Sequence, residues 1–184
     1  MQVKSVEQAF DLMATRADGR YGLSDVSQLE HALQSAGLAI ERALGDALTI
    51  AALFHDVGHL LVAADVALAE QGIDDRHEEV GAAMLAGLFG AAVIEPIRLH
   101  VPAKRWLCTV ERDYFGRLAP DSVRSLELQG GRMSEAEERA FRAKPHATAA
   151  ANLRRIDDDA KVPGLDVPGL AAYRAMAERL TAVA

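Results

Sequence analysis

Apolar residues recur at three- and four-residue intervals along most of the chain, which predicts helices rather than strands. The first such stretch covers residues 4–16, where Val6, Phe10 and Met13 share one face. A second, longer helix is predicted to begin at an N-cap formed by Ser24. Its apolar face would consist of Val26, Leu29, Leu33, Ala36, Ile40 and Leu44.

The stretch 46–56 is apolar on nearly all sides, so it is predicted to be a buried central helix. Ser134 and Glu137 fit a capping box at the start of another helix, and the link at 106–110 could be locally extended. Further helices are predicted over 77–88, 91–103, 120–128, 134–142, 145–158 and 167–182. The predicted fold class is therefore all-α, a helical bundle that forms a single domain over 1–184.

Composition and charge narrow the class of function. Half of the 184 residues are apolar, and the only cysteine is Cys108, so a core without disulfides is expected. The net charge of −7 and the scattered Lys and Arg residues argue against a nucleic-acid surface. The first residues do not resemble a signal peptide and no apolar run has the length of a membrane span, which favours a cytoplasmic protein.

Residues with metal-ligand chemistry form an ordered series along the chain. They are His31, the adjacent pair His55 and Asp56, His77, His100 and an acidic cluster at 157–159. Because a buried His or Asp without a partner is costly, metal coordination is one way to satisfy both. Imidazole and carboxylate donors suit Fe, Mn, Zn or Ni, and the lack of cysteine ligands argues against a structural zinc site.

The adjacent pair could serve two ions at once. Neighbouring residues on a helix point about 100° apart, so Asp56 could bridge to a second ion while His55 binds the first. Each residue alone also has an ordinary interpretation: a single buried histidine is usually a hydrogen-bonded core residue, and Asp158 and Asp159 suit a solvated helix end. The complete series is more specific than any member, and its size suits two ions.

Several segments resemble the HD-domain superfamily and, within it, the mixed-valent di-iron oxygenases that act on hydroxyphosphonates. The segments are QLEHALQ at 28–34, AALFHDVGH at 51–59, HEEVGAAML at 77–85, HVPAKRW at 100–106, SLELQGGRMSEAE at 125–137 and LRRIDD at 153–158. The resemblance implies two iron ions, Fe(II) and Fe(III), with O2 as co-substrate. The ligands it implies are His31, His55 and Asp157 for one ion, His77 and His100 for the other, and Asp56 as the bridge. Asp157 is preferred over Asp158 because it follows LRRI at the family's spacing.

The resemblance also implies a phosphonate pocket beside the metal ions. Catalytic roles would fall to Tyr21, His59 and Lys104. Substrate contacts would come from Tyr21, Ser24, His59, Lys104, Ser122, Ser125, Gln129 and Arg154. Tyr21 would cap the open metal position until substrate arrives. The alternatives are an ordinary surface charge for Lys104 and Arg154, and helix capping for Ser122 and Ser125.

The activity that follows from the resemblance is O2-dependent cleavage of the carbon–phosphorus bond of a 1-hydroxyphosphonate. Ser24 stands where the amino-phosphonate enzymes carry an acidic residue, which favours a trimethylammonium substrate and glycine betaine with phosphate as products. A primary amine, giving glycine, is the close alternative. The rival classes are a metal-dependent phosphohydrolase acting on a nucleotide or phosphate ester and a non-catalytic HD-type signalling module. An upstream hydroxylase is the implied functional partner, with no nucleic acid or membrane.

Overall fold

The computed structural model describes residues 2–19, 25–61 and 73–182, and within these ranges the secondary structure is helical without a sheet. The α-helices are α1 (Val6–Arg16), α2 (Gln28–Glu41), α3 (Asp46–Phe54), α4 (His77–Leu85), α5 (Ala91–Val110), α6 (Pro120–Leu128), α7 (Glu135–Arg142), α8 (Ala147–Asp159) and α9 (Arg174–Arg179). Short 3₁₀ helices lie at Val57–Leu60, Phe115–Arg117 and Leu170–Tyr173. The all-α prediction is confirmed, whereas the single-domain boundary of 1–184 stays a prediction.

The start of α2 differs from the prediction. The N-cap is Ser27, whose hydroxyl accepts from the backbone N–H of Glu30 at 3.1 Å while the Glu30 carboxylate accepts from the Ser27 N–H at 2.6 Å. This reciprocal capping box fixes the first turn, so the predicted cap at Ser24 is wrong. The prediction that Ile40 belongs to the apolar face is also wrong, since 51% of this residue is exposed and it lies outside the core.

Helix α5 is longer than predicted. It continues through 106–110, so the extended link expected there is wrong. Leu107 and Cys108 are fully buried in this last part of α5, and packing of this kind overrides a weak local propensity. At the C-terminus the predicted helix over 167–182 is reduced to a 3₁₀ turn and the short α9. The capping box of Ser134 and Glu137 is confirmed at the start of α7.

Helix α3 lies at the centre of the molecule and contacts α2, α5, α8 and α9. Ile50, Leu53 and Phe54 are essentially inaccessible to solvent, and the Phe54 ring packs edge-on against Phe10. Full burial of one such side chain contributes about 1.5–3 kcal/mol, so the end of α3 has a firmly fixed position. No helix in the described ranges has both the length and the apolar character needed to cross a bilayer.

Candidate metal centre

Six residues from five helical segments meet beside the C-terminal end of α3. The contributing residues are His31 in the middle of α2, His55 and Asp56 directly after α3, His77 at the start of α4, His100 within α5 and Asp157 near the end of α8. The four imidazoles and Asp157 are buried, and Asp56 is half-buried. Residues as far apart as 31 and 157 in the sequence therefore form one polar cluster inside an apolar core.

The two carboxylate oxygens of Asp56 face different pairs of histidines. Oδ2 lies 3.6 Å from Nε2 of His31 and 3.4 Å from Nε2 of His55. Oδ1 lies 3.5 Å from Nε2 of His77 and 3.6 Å from Nε2 of His100. The carboxylate thus divides the cluster into two half-sites, which we call the His31/His55 half-site and the His77/His100 half-site.

The second acidic residue belongs to only one half-site. Oδ1 of Asp157 lies 3.4 Å from Nε2 of His31 and 3.9 Å from Nε2 of His55. Asp158, in contrast, points to Tyr114 and Arg154, with both contacts shorter than an ordinary hydrogen bond. Of the two candidates at this position, Asp157 is therefore the one that faces the histidines.

All four imidazoles present Nε2 to the centre because their Nδ1 atoms have acceptors elsewhere. Nδ1 donates to a backbone carbonyl in three of them, and in His77 it donates to the Asp75 carboxylate at 2.8 Å. The three carbonyl contacts are His31 to Ala160 at 2.8 Å, His55 to Ala52 at 2.8 Å and His100 to Ile97 at 2.7 Å. With the proton on Nδ1, the lone pair of each Nε2 is available to a metal ion.

The spacing of these donors fits metal coordination. Nε2 of His31 and His55 are 3.2 Å apart, and Nε2 of His77 and His100 are 3.1 Å apart. Facing lone pairs at this distance repel unless a cation lies between them. Two neighbouring ligands, each about 2.1 Å from one ion and at a right angle, would be about 3.0 Å apart. In the described part of the chain, Oδ2 of Asp56 is buried and lacks a hydrogen-bond partner, which a metal ion would correct.

The ionisation states of the cluster also favour metal coordination. Burial opposes ionisation of Asp56 and Asp157, but positive charge on their neighbours outweighs it and holds both pKa values well below the ordinary range. Burial likewise opposes protonation of His55, yet the two carboxylates raise its pKa. Burial and the charge of His77 lower the pKa of His100 well below its ordinary value. The site therefore holds two ionised carboxylates, a setting that favours binding of cations.

The residues expected to bind a phosphonate gather on α5, α6 and α8. The Lys104 ammonium donates to Oγ of Ser125 at 2.7 Å, and the Arg154 guanidinium donates to Oγ of Ser122 at 3.2 Å. Arg154 also donates to Asp157 at 2.6 Å. Because one guanidinium reaches both Ser122 and Asp157, this group of side chains adjoins the His31/His55 half-site. Lys104 is only 2% exposed and Arg154 only 4%, so neither is a surface charge.

The remaining predicted site residues have varied positions. His59 lies against the His77/His100 half-site, where its ring stacks on that of His77 with centroids 3.9 Å apart. The Nε2 side of Gln129 points to Asp74 at 3.5 Å, and its Oε1 is buried without a hydrogen-bond partner among the described residues. Tyr21 and Ser24 lie outside the described residues.

Three residues near the centre were not anticipated from the sequence. Asp75 accepts from His59 and His77, Tyr114 accepts from Nε of Arg154 at 3.2 Å, and Lys161 lies 3.3 Å from Oδ1 of Asp157. Lys161 follows Asp157 by four residues, a spacing that often marks an ion pair in or beside a helix. Asp75 and Tyr114 lie outside α-helices, where no periodic pattern could have singled them out.

Comparison with known proteins agrees with this geometry. A profile of the HD domain matches residues 29–144. Hydroxymethylphosphonate dioxygenase from Gimesia maris is 49% identical over 178 residues, which cover 94% of this chain and 86% of that protein. The glycine-betaine-forming 1-hydroxy-2-(trimethylamino)ethylphosphonate dioxygenase from Leisingera caerulea is 32% identical over 165 residues, covering 90% and 84% of the two chains. The chain therefore belongs to the HD-domain family and, within it, to the phosphonate dioxygenases.

Proposed function

We propose that this protein is a di-iron dioxygenase that cleaves the carbon–phosphorus bond of hydroxymethylphosphonate. The observation that carries the proposal is the division of Asp56, with one oxygen toward His31 and His55 and the other toward His77 and His100. A carboxylate shared in this way suits two neighbouring ions. The buried ammonium of Lys104, which is attracted by the carboxylate of Asp157, suits an anionic substrate.

The metal ions would be held by this chain's own donors in two unequal sets. His31, His55 and Asp157 would bind one ion, and His77 with His100 would bind the other. Asp56 would bridge the pair and leave the His77/His100 half-site with fewer protein ligands, so that it keeps more open positions. When bound, a mixed Fe(II)/Fe(III) pair would supply the activation of O2, chemistry that imidazole and carboxylate ligands permit for iron.

The phosphonate group would be bound by the pocket on α5, α6 and α8. A phosphonate dianion needs several donors at once, and the Lys104 ammonium has one hydroxyl partner among the described residues. Arg154 has five N–H donors, of which four contact Tyr114, Asp157, Ser122 and Asp158. We therefore assign most of the direct contact with the substrate to Lys104, Ser125 and Ser122, with Arg154 holding their neighbours in place.

The proposed reaction balances without an external reductant. The O–O bond, one C–H bond, the C–P bond and the hydroxyl O–H bond break. A new C–O bond and a P–O bond form and the carbon is oxidised to a carboxylate, so that both atoms of O2 enter the products. The products are formate and phosphate, with the proton released to solvent. The chain's residues would orient the hydroxymethyl carbon toward the metal centre, since Arg154 joins the phosphonate pocket to Asp157.

A trimethylammonium substrate is the second candidate. It is favoured by Ser24, which replaces the acidic residue expected for a primary amine, and by the relative from Leisingera caerulea. Hydroxymethylphosphonate has no amino group to accommodate. The relative named for this substrate is 49% identical to this chain, whereas the relative named for the trimethylammonium substrate is 32% identical. These identities support hydroxymethylphosphonate as the first candidate and glycine betaine formation as the second.

The decisive experiment measures O2 consumption and phosphate release together. Iron-loaded enzyme is supplied with hydroxymethylphosphonate, with the trimethylammonium substrate or with the primary amine, each at equal concentration. We expect equimolar O2 uptake and phosphate release, with the highest kcat/KM for hydroxymethylphosphonate. Phosphate release from nucleotides or phosphate esters without O2 would instead establish a phosphohydrolase.

Metal analysis separates an enzyme from a signalling module. We expect two iron ions per chain after anaerobic loading, and a loss of iron in Asp56→Asn. Asp46→Asn serves as the matched control, because Asp46 pairs with Arg179 at the surface at 2.8 Å, away from the centre. Failure of the wild-type chain to retain iron would favour a non-catalytic module.

A further inference from the structure

A carboxylate outside the ligand set contacts two histidines at once. Oδ1 of Asp75 accepts from Nδ1 of His77 at 2.8 Å, and Oδ2 of Asp75 pairs with Nδ1 of His59 at 2.8 Å. The two rings are stacked, with an angle of 20° between their planes. Donor atoms of Asp56, His59 and His77 all lie within 4.8 Å of one another. Asp75 therefore holds a parallel pair of rings against the His77/His100 half-site.

This arrangement distinguishes His77 from the other three candidate ligands. His31, His55 and His100 donate Nδ1–H to backbone carbonyls, whose positions are set by the helices. Among these four residues, His77 is the one whose Nδ1–H is accepted by a side chain. A charged acceptor also makes the ligating imidazole more basic than a neutral carbonyl does.

We propose that Asp75 is a positioning residue that fixes the tautomers of His77 and His59 and thereby sets the metal affinity of the His77/His100 half-site alone. This inference rests on the proposed dinuclear centre. The contact of Asp75 with His77 gives a physical reason why two ions that share Asp56 should be bound with different affinities. His59, held with Nδ1 on Asp75, would present its Nε2 to a molecule bound at the same half-site.

The chemistry of the carboxylate makes the proposal specific. A carboxylate can accept from both rings, whereas an amide of the same shape has only one acceptor oxygen. In Asp75→Asn the amide nitrogen would face one of the two Nδ1 atoms and force that ring to move its proton to Nε2. A His77 ring protonated on Nε2 cannot bind a metal through that nitrogen, which is the one that faces the centre. Asp75 is part-exposed and precedes α4, so the substitution removes no packing from the core.

The test compares Asp75→Asn with the surface control Asp46→Asn in the full-length protein. Histidine tautomers are read by ¹⁵N NMR on metal-free protein, and Fe(II) affinities by anaerobic calorimetric titration of the same protein. We expect His59 or His77 to change tautomer in Asp75→Asn only. Affinity for one of the two ions should fall about 10- to 100-fold, the effect typical of an outer carboxylate. The other ion should bind as in wild type.

Three results would overturn the proposal: unchanged tautomers, equal weakening of both ions, or binding of a single ion by the wild-type chain. The last result would also remove the dinuclear centre. If the wild type binds two ions and Asp75→Asn weakens one, yet hydroxymethylphosphonate is not consumed, the role of Asp75 stands while the proposed substrate fails. Asp75→Glu restores both acceptor oxygens and should therefore recover part of the lost affinity. A residue with a purely structural role would show no such recovery.

Discussion

The ammonium of Lys104 donates to the hydroxyl of Ser125 at 2.7 Å, although only 2% of the lysine is exposed to solvent. A buried ammonium is costly unless its three donors are satisfied, and in the described part of the chain this hydroxyl is its hydrogen-bond partner. Arg154 on α8 adds a second positive charge nearby. A dianionic phosphonate would satisfy the remaining donors of Lys104 and compensate its charge.

Substitution of Lys104 should therefore affect substrate binding more than folding. In Lys104→Met, kcat/KM for hydroxymethylphosphonate should fall about 10- to 100-fold, corresponding to the loss of a hydrogen bond to a charged group. Most of the effect should appear in KM, because the phosphonate group is already anionic in the bound substrate, so Lys104 stabilises the bound substrate and the transition state alike. Steady-state kinetics with the exposed-lysine control Lys144→Met would test this, and an unchanged KM would exclude Lys104 from the pocket.

The same lysine should set a pH limit on activity. Burial and the positive charge of Arg154 lower the pKa of Lys104 from 10.5 to about 7, with a partial offset from Asp157 and Asp158. Only the protonated form attracts a phosphonate, so kcat/KM should fall about tenfold per unit as pH rises above this pKa. A pH profile of kcat/KM would show this limb in wild type. Persistence of the limb in Lys104→Met would assign it to another group.

Folding stability should respond to pH in the opposite sense. The unfolded chain keeps the ordinary pKa of 10.5, whereas the folded chain has a value of about 7. Between these values the unfolded state binds more protons, so the contribution of Lys104 to the free energy of unfolding rises with pH in this window. Chemical denaturation of metal-free wild type and Lys104→Met at several pH values measures the difference. A constant difference across the window would contradict the lowered pKa.

Substitution of the two neighbouring carboxylates of α8, Asp157 and Asp158, should have different effects on the iron content of the protein. Asp157 faces His31 at 3.4 Å, whereas Asp158 contacts Tyr114 and Arg154. Asp157→Asn should therefore lose about one equivalent of iron, because a weakly donating amide replaces an anionic ligand. Asp158→Asn should retain both ions and instead raise KM by loosening Arg154. Elemental analysis of the two variants, prepared identically, would decide; an iron loss confined to Asp158→Asn would reverse the assignment.

Gly58 should tolerate no side chain. A Cβ built at this position would lie 2.0 Å from the carbonyl oxygen of His77, so Gly58→Ala must displace the start of α4. We expect a loss of about 1–3 kcal/mol in the free energy of unfolding, as is typical of overpacking, together with weaker metal binding at His77. Gly116→Ala is the control, since nothing lies within 4 Å of its Cβ among the described residues. Equal melting temperatures of the two variants would contradict the close approach.

Much of the fold could be predicted from helical periodicity, and the cluster could be predicted from one buried helix together with the resemblance. The nearly all-apolar stretch at 46–56 had to be buried, which placed His55 and Asp56 inside the core and made partners for them necessary. The other histidines follow from the resemblance of the surrounding segments. The structure brings all six candidate ligands together, as those segments implied.

The features that escaped prediction depend on tertiary packing or on irregular segments. The Ser27 and Glu30 pair already matched the capping-box spacing, but the chain offered Ser24 as a competing start. The last turns of α5 carry β-prone residues, and burial of Leu107 and Cys108 keeps them helical. Asp75 precedes α4 in a segment without periodicity, so only the coordinates reveal its contacts.

The three backbone carbonyls that hold the rings of His31, His55 and His100 have an evolutionary consequence. Every residue has a carbonyl, so the side chains of Ala160, Ala52 and Ile97 can change without altering which nitrogen of the ring is free. Mutations that respect packing can therefore accumulate around this part of the centre while its geometry persists. Laboratory evolution toward new substrates should find the surroundings of these three rings permissive and those of His77 restrictive.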